Sequence, residues 1–571
     1  MRTLLKNGTV VNVFTGEIEK AQVLLENERI IGVGDYCSQD ADAEEDLTGK
    51  YICPGFIDGH IHIESSMLLP VEFAKAALPH GTTAVVADPH EIANVCGAEG
   101  IQFMLEASEG LPLTVYIMIP SCVPATEFDE SGASLGAEEI RPFYGHPRVL
   151  GLGEVMSYHA VADGDEKLQK KINDALERGL IVNGHAPLLT GRKLDRYIAA
   201  GVGDDHECSS AEEAIERIRK GQRVLIREGT AARNLKELLP LFEEPFAGRC
   251  LLVTDDKHPA DLLERGHIDD IIRQAAAMGK DPVTGIRMAT IQAAEYFGLR
   301  RVGAVAPGYQ ADLLVLNDLE RVAVRDVYKA GRKVVSEGRV LPFSEPEVSP
   351  ERWEAVKSSF HVKELSAADF RVDVHGKHGC RVIGLVKGEL LTEERIREID
   401  FDSGNGIDTE RDILKIAVIE RHRNTGHIGL GFIEGTGVRC GALVSSVSHD
   451  SHNLIVIGAD EGDMAFAANH IRSLGGGMAV VRDGRVVEEM PLPYAGLMTG
   501  RAAAQAAAEN ERVRAGAHAL GVPADRELFM TMSFISLPVI PHLKLTTMGL
   551  VDVDRQRLVP LSVGQTADGQ Q

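Results

Sequence analysis

Short apolar runs alternate regularly with amphipathic stretches between residues 53 and 299, and this alternation restricts the folds available to the chain. Repeated strand–helix units of this kind are typical of a parallel β-sheet covered by helices. The eight predicted strands are residues 55–61, 82–87, 113–119, 149–153, 180–183, 202–204, 224–226 and 251–254. Eight units in about 250 residues match the size of a (β/α)₈ barrel, also called a TIM barrel. The sequence therefore predicts an α/β fold with this barrel at residues 53–299.

Two β-rich segments flank this block. In residues 1–52, short apolar stretches alternate with turn dipeptides such as Asn7-Gly8, and the first predicted strand spans residues 4–13. Residues 300–345 have a similar pattern. After a proline-rich stretch, residues 346–571 contain their own predicted strands and helices. A chain of 571 residues is too long for one hydrophobic core, so several domains are expected.

Composition limits the partners and the kind of metal site. The 60 basic residues and 85 acidic residues give a net charge of −25, which would repel nucleic acid over most of the surface. The N-terminus has no secretory signal pattern and no apolar run is long enough to span a membrane, so we expect a cytoplasmic protein. The eight cysteines form no C-x-x-C pair, which argues against a thiolate zinc site.

Six side chains that can bind a metal stand at the predicted strand ends. His60 and His62 end the first strand, and residues two apart in a strand share one face. The other four are Glu154, His185, His206 and Asp255, at the ends of strands four, five, six and eight. A single histidine or carboxylate is more often a surface group or a helix cap, so the prediction rests on all six together. Nitrogen and oxygen ligands without thiolate suit Mn, Fe or Zn.

Residues 54–62, PGFIDGHIH, resemble the opening metal motif of the amidohydrolase superfamily. Many cyclic-amide hydrolases of this superfamily carry a carboxylated lysine on the fourth strand, where this chain has Glu154 in the run GLGEVM. Further motifs are DPHEIAN at 88–94, NGHAP at 183–187, GDDHE at 203–207, TDDKHP at 254–259 and SHDSHN at 448–453. Together they make the chain similar to the bacterial adenine deaminase family from end to end.

The resemblance implies a domain arrangement. Residues 1–52 and 300–345 would form one split β-sandwich, residues 53–299 the barrel, and residues 346–571 a C-terminal α+β domain that covers the barrel mouth. Taken alone, residues 448–453 could be an ordinary polar loop, a separate metal site or a lid. The resemblance favours a lid.

The resemblance also implies roles for the six metal-competent residues. His60 and His62 would hold one cation, His185 and His206 the other, Glu154 would bridge them, and Asp255 would complete the first. The cofactors would be two divalent cations, Mn²⁺ or Fe²⁺ with Zn²⁺ as an alternative, and they would activate a shared water. The resulting hydroxide would attack C6 of adenine, releasing hypoxanthine and ammonia. Asp255 would transfer the proton, with Asp256 as the competing candidate.

Attack at C6 builds negative charge on the ring nitrogens, so a donor near N1 is needed. The candidates for substrate binding are His90 and Glu91 after the second strand, and Glu64 and Ser65 after the first. Each of them could instead be a capping or turn residue.

Two rival functions remain from the sequence. A cyclic-amide hydrolase of the dihydroorotase or hydantoinase type is disfavoured by Glu154, and a non-catalytic scaffold is disfavoured because all six ligands are present. We expect a small-molecule substrate and a homo-oligomer, with no nucleic-acid or membrane partner.

Overall fold

The computed structural model describes residues 1–230, 232–387 and 391–563. The chain divides into two compact units. Unit 1 comprises residues 1–89, 104–121 and 136–348, and unit 2 comprises residues 90–103, 122–135 and 349–571. Residues 564–571 of the predicted C-terminal domain lie outside the described part of the chain.

Unit 1 contains eight short parallel strands at the positions of the eight apolar runs. They are β1 (Phe56–Ile61), β2 (Thr82–Ala87), β3 (Thr114–Ile119), β4 (Val149–Val155), β5 (Ile181–Gly184), β6 (Asp204–Asp205), β7 (Arg223–Arg227) and β8 (Cys250–Val253). Strands β1 to β5 form one parallel sheet in chain order, and β6 to β8 form another. Their apolar residues are almost fully buried, as expected for a parallel sheet with both faces covered.

Backbone hydrogen bonds join the two parallel sheets at both edges. The Gly203 N–H donates to the Val182 carbonyl at 2.9 Å, beside β5. At the other edge the Asp255 N–H donates to the His60 carbonyl at 3.0 Å, and the His62 N–H donates to the Asp255 carbonyl at 3.3 Å. The ends of β1 and β8 therefore lie side by side.

Helices connect these strands along the chain. They are Pro70–Ala77, His90–Cys96, Ala98–Ala107, Ala137–Ile140, Tyr158–Asp163, Glu166–Leu176, Gly191–Ala199, Ala211–Arg219, Leu235–Leu238, Pro259–Glu264, Ile268–Ala277, Pro282–Met288 and Ile291–Tyr296. The sequence pattern suggests that Ser209 and Glu212 cap helix Ala211–Arg219. That register is wrong by one residue, because the Ser210 side chain accepts the Glu213 N–H while Ser209 donates to the Glu213 carboxylate.

The flanking β segments of unit 1 form two further sheets. The four-stranded sheet contains Arg2–Lys6, Gln22–Glu26, Arg29–Gly34 and Ala43–Asp46, and the seven-stranded sheet contains Thr9–Val11, Ile18–Lys20, Tyr51–Pro54, Leu313–Leu316, Val324–Lys329, Arg332–Ser336 and Arg339–Val340. Strand Tyr51–Pro54 pairs with Leu313–Leu316, so the segments before and after the eight parallel strands share one sheet. The single strand predicted at residues 4–13 is two strands, because Asn7 takes a left-handed conformation with φ of 61°.

Unit 2 is built on an eight-stranded sheet. Its strands are Lys377–Leu385, Thr392–Asp400, Ile413–Ile419, Ile428–Glu434, Ala442–Ser445, Leu454–Gly458, Gly477–Arg482 and Arg485–Pro491. A small sheet contains Leu543–Thr546, Gly549–Asp552 and Arg557–Val559, and the helices after residue 348 are Pro350–Lys357, Glu461–Leu474, Ala503–Ala519 and Leu528–Ser533. Helix Glu461–Leu474 packs Met464, Ala468 and Ile471 against the large sheet. Among the helices formed by residues 1–230, 232–387 and 391–563, none combines the length and the hydropathy of a membrane-spanning segment.

Candidate metal centre

The six predicted ligands lie together at the carboxyl ends of the parallel strands in unit 1. His60 and His62 flank the end of β1, and Glu154 is the penultimate residue of β4. The remaining three are His185 directly after β5, His206 directly after β6, and Asp255 two residues after β8. His185 is partly exposed and the other five are buried. The cluster therefore forms because parallel strands end at one edge, as the strand count predicts.

Glu154 lies at the centre of the cluster and has histidines on both of its oxygens. Its Oε1 is 3.2 Å from His62 Nε2 and 3.8 Å from His60 Nε2. Its Oε2 is 2.7 Å from His185 Nδ1 and 3.4 Å from His206 Nε2. One carboxylate thus separates two histidine pairs, which is the geometry needed to bridge two cations.

Asp255 also divides its two oxygens between different partners. Oδ1 is 3.1 Å from His62 Nε2 and 3.6 Å from His60 Nε2, whereas Oδ2 accepts from Arg227 Nη1 at 2.6 Å. Asp255 has a positive φ of 58°, an uncommon conformation for a residue other than glycine. The guanidinium holds one oxygen, and the other remains directed at the two histidines of β1.

A hydrogen bond to the main chain determines which nitrogen of His62 can bind a cation. His62 Nδ1 lies 2.9 Å from the carbonyl oxygen of Asp88, and only a protonated Nδ1 can donate to a carbonyl. In the neutral ring the lone pair is then on Nε2, which faces the carboxylates of Glu154 and Asp255. A lone pair facing two carboxylates is unfavourable unless a cation lies between them, so this arrangement fits a metal ion.

Asp88 supports the cluster a second time through its side chain. Its Oδ2 accepts the backbone N–H of Glu154 at 2.9 Å. A Cβ atom on Gly153 would lie 2.1 Å from the same oxygen, so the close approach of Asp88 to β4 requires glycine at this position. The motif that follows β2 thereby orients ligands on both β1 and β4.

The charges in the cluster shift the pKa values of its carboxylates downward. Burial alone would raise the pKa of Glu154, but its contacts with His185, His206 and His62 outweigh burial and hold the pKa well below its usual range. The pKa of Asp255 is likewise held low, because the charge of Arg227 and the contacts with His60 and His62 overcome burial. Both carboxylates are therefore ionised and available to bind a cation.

His60 is buried, and the pKa of its ring is lowered, as are those of the two carboxylates. Burial, reinforced by the neighbouring charge of His206, lowers the pKa of His60 and favours the neutral ring that a metal requires. Within the described residues its buried Nε2 has no hydrogen-bond partner. Ligand atoms of His60, His62 and Asp255 lie within 4.8 Å of one another, as do those of His60, Glu154 and His206. This donor set fits a divalent metal ion.

Sequence reasoning missed two charged residues at this site. Glu207 Oε1 is 3.3 Å from His206 Nε2 and 3.6 Å from His185 Nδ1. Arg227, the last residue of β7, hydrogen-bonds to both Glu207 and Asp255. Two features of the sequence could have pointed to them. Glu207 directly follows the predicted ligand His206, and Arg227 is a charged residue at the end of a strand.

The remaining predicted site residues are distributed over both units. In unit 1, Glu64 and Ser65 are buried in a turn of 3₁₀ helix after β1, and the Ser65 hydroxyl donates to Asp256 Oδ1 at 2.5 Å. Asp256 therefore contacts Ser65, whereas Asp255 contacts the histidine cluster. His90 and Glu91 are buried at the start of helix His90–Cys96 in unit 2, near residues 448–453.

Known proteins resemble this chain in both of its main parts. Residues 51–334 match the amidohydrolase family, and residues 389–557 match the adenine deaminase C-terminal domain. Among solved structures, the amidohydrolase enamidase matches with 19% identity and a TM-score of 0.47 over 61% of this chain and 99% of its own. A dihydropyrimidinase from Brevibacillus agri matches with 18% identity and a TM-score of 0.47 over 60% of this chain and 96% of its own.

Relatives named adenine deaminase match over nearly the whole chain. Adenine deaminase 2 of Carboxydothermus hydrogenoformans is 45% identical over 98% of this chain and 97% of its own length. The adenine deaminase of Desulfatibacillum aliphaticivorans is 44% identical over 98% and 96%, and that of Geobacillus kaustophilus is 42% identical over 98% and 96%. With the metal-competent cluster, this similarity over the full length shows that the chain belongs to the adenine deaminase family of amidohydrolases.

Proposed function

We propose that this chain catalyses the hydrolytic deamination of adenine to hypoxanthine and ammonia. The observation that carries the proposal is the position of Glu154, with each carboxylate oxygen facing a different histidine pair. A glutamate at this position, in place of a carboxylated lysine, distinguishes the chain from many cyclic-amide hydrolases. The relatives that match over the whole chain carry the name adenine deaminase.

The six clustered residues would hold two cations in this proposal. His60, His62 and Asp255 would bind one, His185 and His206 the other, and Glu154 both. Two divalent cations, when bound, would lower the pKa of a water molecule enough to supply a nucleophile for C6 near neutral pH. Manganese or iron, with zinc as an alternative, a homo-oligomeric state and a cytoplasmic location remain predictions from the sequence.

Asp255 is our choice for the group that moves a proton to the departing amine. A general acid or base must lie within hydrogen-bond reach of the proton that it transfers. Asp255 lies in the cluster, with Oδ1 3.1 Å from His62 Nε2, while Asp256 accepts a hydrogen bond from Ser65. Arg227 and Glu207 would act by orienting Asp255 and the His185–His206 pair.

The substrate-binding groups are proposed from their position along the chain. Glu64 and Ser65 follow the His60–His62 pair, and His90 and Glu91 follow Asp88, whose carbonyl and carboxylate orient the cluster. We assign binding of the purine nitrogens to these four residues. A purine offers both N–H donors and lone-pair acceptors, so carboxylates and histidines are suited to it.

We also propose the complete domain arrangement. The eight parallel strands would form one closed (β/α)₈ barrel, supported by the backbone hydrogen bonds at both edges of its two sheets. Residues 1–52 and 300–345 would form the split β-sandwich, supported by the pairing of Tyr51–Pro54 with Leu313–Leu316. Residues 346–571 would form the C-terminal domain.

The function can be tested directly by spectroscopy. Purified protein is loaded with Mn²⁺ or Fe²⁺, and the ultraviolet change from adenine to hypoxanthine is followed, with dihydroorotate and adenosine as comparison substrates. We expect turnover of adenine with one ammonia released per base. Turnover of dihydroorotate without ammonia release from adenine would refute the substrate assignment and leave the metal cluster in place.

A further inference from the structure

Residues 448–453 of unit 2, which we call the 448–453 loop, are all buried although they are polar. Two of its histidines face the carboxylate of Glu91. His452 Nε2 is 3.6 Å from Glu91 Oε2, and His449 Nδ1 is 3.9 Å from Glu91 Oε1. Asp450 of the same loop lies 3.6 Å from His90 Nε2. Burying polar groups costs free energy unless hydrogen bonds compensate for it, so the partners of these side chains indicate what the loop does.

The contact of His452 with the main chain shows which of its two ring nitrogens carries the hydrogen. The backbone N–H of Ser448 donates to His452 Nδ1 at 3.1 Å, so Nδ1 carries the lone pair. Burial and the nearby His449 and Arg421 lower the pKa of His452 well below its usual range, so the ring is neutral. A neutral ring with its lone pair on Nδ1 carries its hydrogen on Nε2, the nitrogen that faces Glu91.

The tautomer of His452 distinguishes two possible roles for Glu91, His449 and His452. They could form a metal site, or His452 could donate a hydrogen bond to Glu91. Ligand atoms of Glu91, His449 and His452 lie within 4.8 Å of one another, a separation compatible with a metal ion. Binding through His452 Nε2, however, would require the lone pair on that nitrogen and would bring an Nδ1–H against the Ser448 N–H. An Nε2–H directed at a carboxylate needs no such rearrangement. The geometry therefore favours a hydrogen-bond donor over a third metal site.

The position of His452 is held by a buried arginine. Arg421 is fully buried, its Nε donates to the His452 carbonyl, and its Nη2 donates to the Ala495 carbonyl at 2.9 Å. The Arg421 backbone N–H donates to Asn453 Oδ1 at 3.3 Å. These bonds attach His452 and Asn453 to Arg421, which follows strand Ile413–Ile419. The imidazole therefore has a defined direction that does not depend on Glu91.

We propose that His452 is a positioning residue whose Nε2–H orients the Glu91 carboxylate to accept an N–H group of the purine substrate. The proposal rests on the proposed function and extends it by giving the 448–453 loop a role in substrate binding. The separation of 3.6 Å is longer than a hydrogen bond. Catalytic contacts are often long without substrate and shorten in the complex, so we expect this one to close when the substrate binds.

Two substitutions of His452 separate its two contacts. His452→Asn keeps an acceptor at the position of Nδ1 for the Ser448 N–H and removes the donor to Glu91. His452→Gln keeps a donor at the position of Nε2 and removes the acceptor. We expect His452→Asn to lower kcat/KM for adenine by roughly ten- to a hundredfold, because a hydrogen bond to a charged group is lost. His452→Gln should retain most of the activity.

A double-mutant cycle with Glu91→Gln distinguishes positioning from a purely structural role. If His452 acts through Glu91, the variant combining Glu91→Gln with His452→Asn has the same kcat/KM as Glu91→Gln alone. If the kcat/KM losses of the two single variants multiply in the double variant, the proposal is overturned. His375→Asn, at a side chain that is 91% exposed, is the matched control and should be unchanged. Wild-type turnover of adenine in the same assay tests the proposed function separately.

Metal content provides a measurement that does not depend on activity. We expect two bound cations per chain in the wild type and in His452→Asn. A third cation in the wild type that is lost in His452→Asn would show that Glu91, His449 and His452 form a metal site, and would overturn the positioning role.

If His452→Asn does not fold, Glu91→Asp serves instead, because it moves the carboxylate away from His452 and leaves the loop intact. Wild-type kcat/KM in Glu91→Asp would also overturn the proposal.

Discussion

Individual charged side chains in the metal-competent cluster of unit 1 are held in fixed orientations. Asp255 has one oxygen on Arg227 and the other 3.1 Å from His62 Nε2, and its main chain adopts a positive φ. A carboxylate held at one oxygen loses rotational freedom, so the other oxygen is oriented before substrate arrives. This preorganisation is the structural reason for preferring Asp255 to Asp256 in proton transfer.

Asp255→Asn should keep the cations largely bound and lower kcat for adenine by about 10²- to 10⁴-fold, because the amide cannot accept and return a proton. Metal content by mass spectrometry and steady-state kinetics measure the two effects. Asp256→Asn is the matched control and should retain activity. If the loss of kcat appears in Asp256→Asn instead, the proton-transfer role belongs to Asp256.

A second residue-scale prediction concerns Asp129 in unit 2. Burial, with the nearby charges of Asp450 and Glu130, raises the pKa of Asp129 to about 8 from 3.8. The folded chain therefore keeps a proton that the unfolded chain releases, and stability falls as the pH rises between these two values. The slope is up to about 1.4 kcal/mol per pH unit.

Asp129→Asn removes this titration, so its Tm should fall less than that of the wild type between pH 5 and pH 8. Thermal unfolding at several pH values, with metal content held constant, measures the difference. Asp483→Asn replaces an aspartate whose side chain is 85% exposed, and it should follow the wild type. Parallel Tm curves for the wild type and Asp129→Asn would contradict the prediction.

At the scale of elements, the position of His206 depends on a very short strand. β6 contains only Asp204 and Asp205, and Asp205 Oδ2 accepts from Arg217 Nε at 2.8 Å. Arg217 is fully buried on helix Ala211–Arg219 and also donates to the Ala186 carbonyl at 2.6 Å. The helix that follows β6 thus anchors both β6 and the segment after His185.

Arg217→Met should destabilise unit 1 by about 3–5 kcal/mol, because it leaves the buried Asp205 carboxylate without its cation. A lower Tm should be accompanied by lower metal content, since His206 follows Asp205 directly. Arg219→Met changes an exposed arginine of the same helix and should leave both quantities unchanged. Equal metal content in Arg217→Met and the wild type would show that β6 holds His206 without the ion pair.

Apolar periodicity was sufficient to locate the elements but not their ends. Residues 82–87 coincide with β2, whereas the run at 202–204 corresponds to a strand that contains only Asp204 and Asp205. The helix cap is Ser210 because its side chain reaches the Glu213 N–H, although Ser209 offers the same hydroxyl one residue earlier. Neighbouring residues of equal chemistry are distinguished only by backbone direction.

At the scale of the whole molecule, metal binding and stability should be linked. Four histidines and two carboxylates converge in unit 1, and a ligand that binds only the folded chain stabilises it by mass action. Removal of the cations with a chelator should lower the Tm by several degrees, and Mn²⁺ should restore it. Glu154→Gln removes the central charge and should abolish most of this difference. A Tm that is independent of chelator in the wild type would contradict a metal centre in unit 1.

The amino-acid sequence alone was enough to infer the eight parallel strands, the six metal-competent residues at their ends and the family of the chain. These follow from local periodicity and from residue types at set positions. Three-dimensional contacts were needed to show that Arg227 and Glu207 lie beside the predicted ligands and that Asp88 sets the tautomer of His62. The same is true of the contact between the 448–453 loop and Glu91. Such contacts join residues far apart in the chain, and their distances depend on side-chain direction and strand register, which periodicity does not specify.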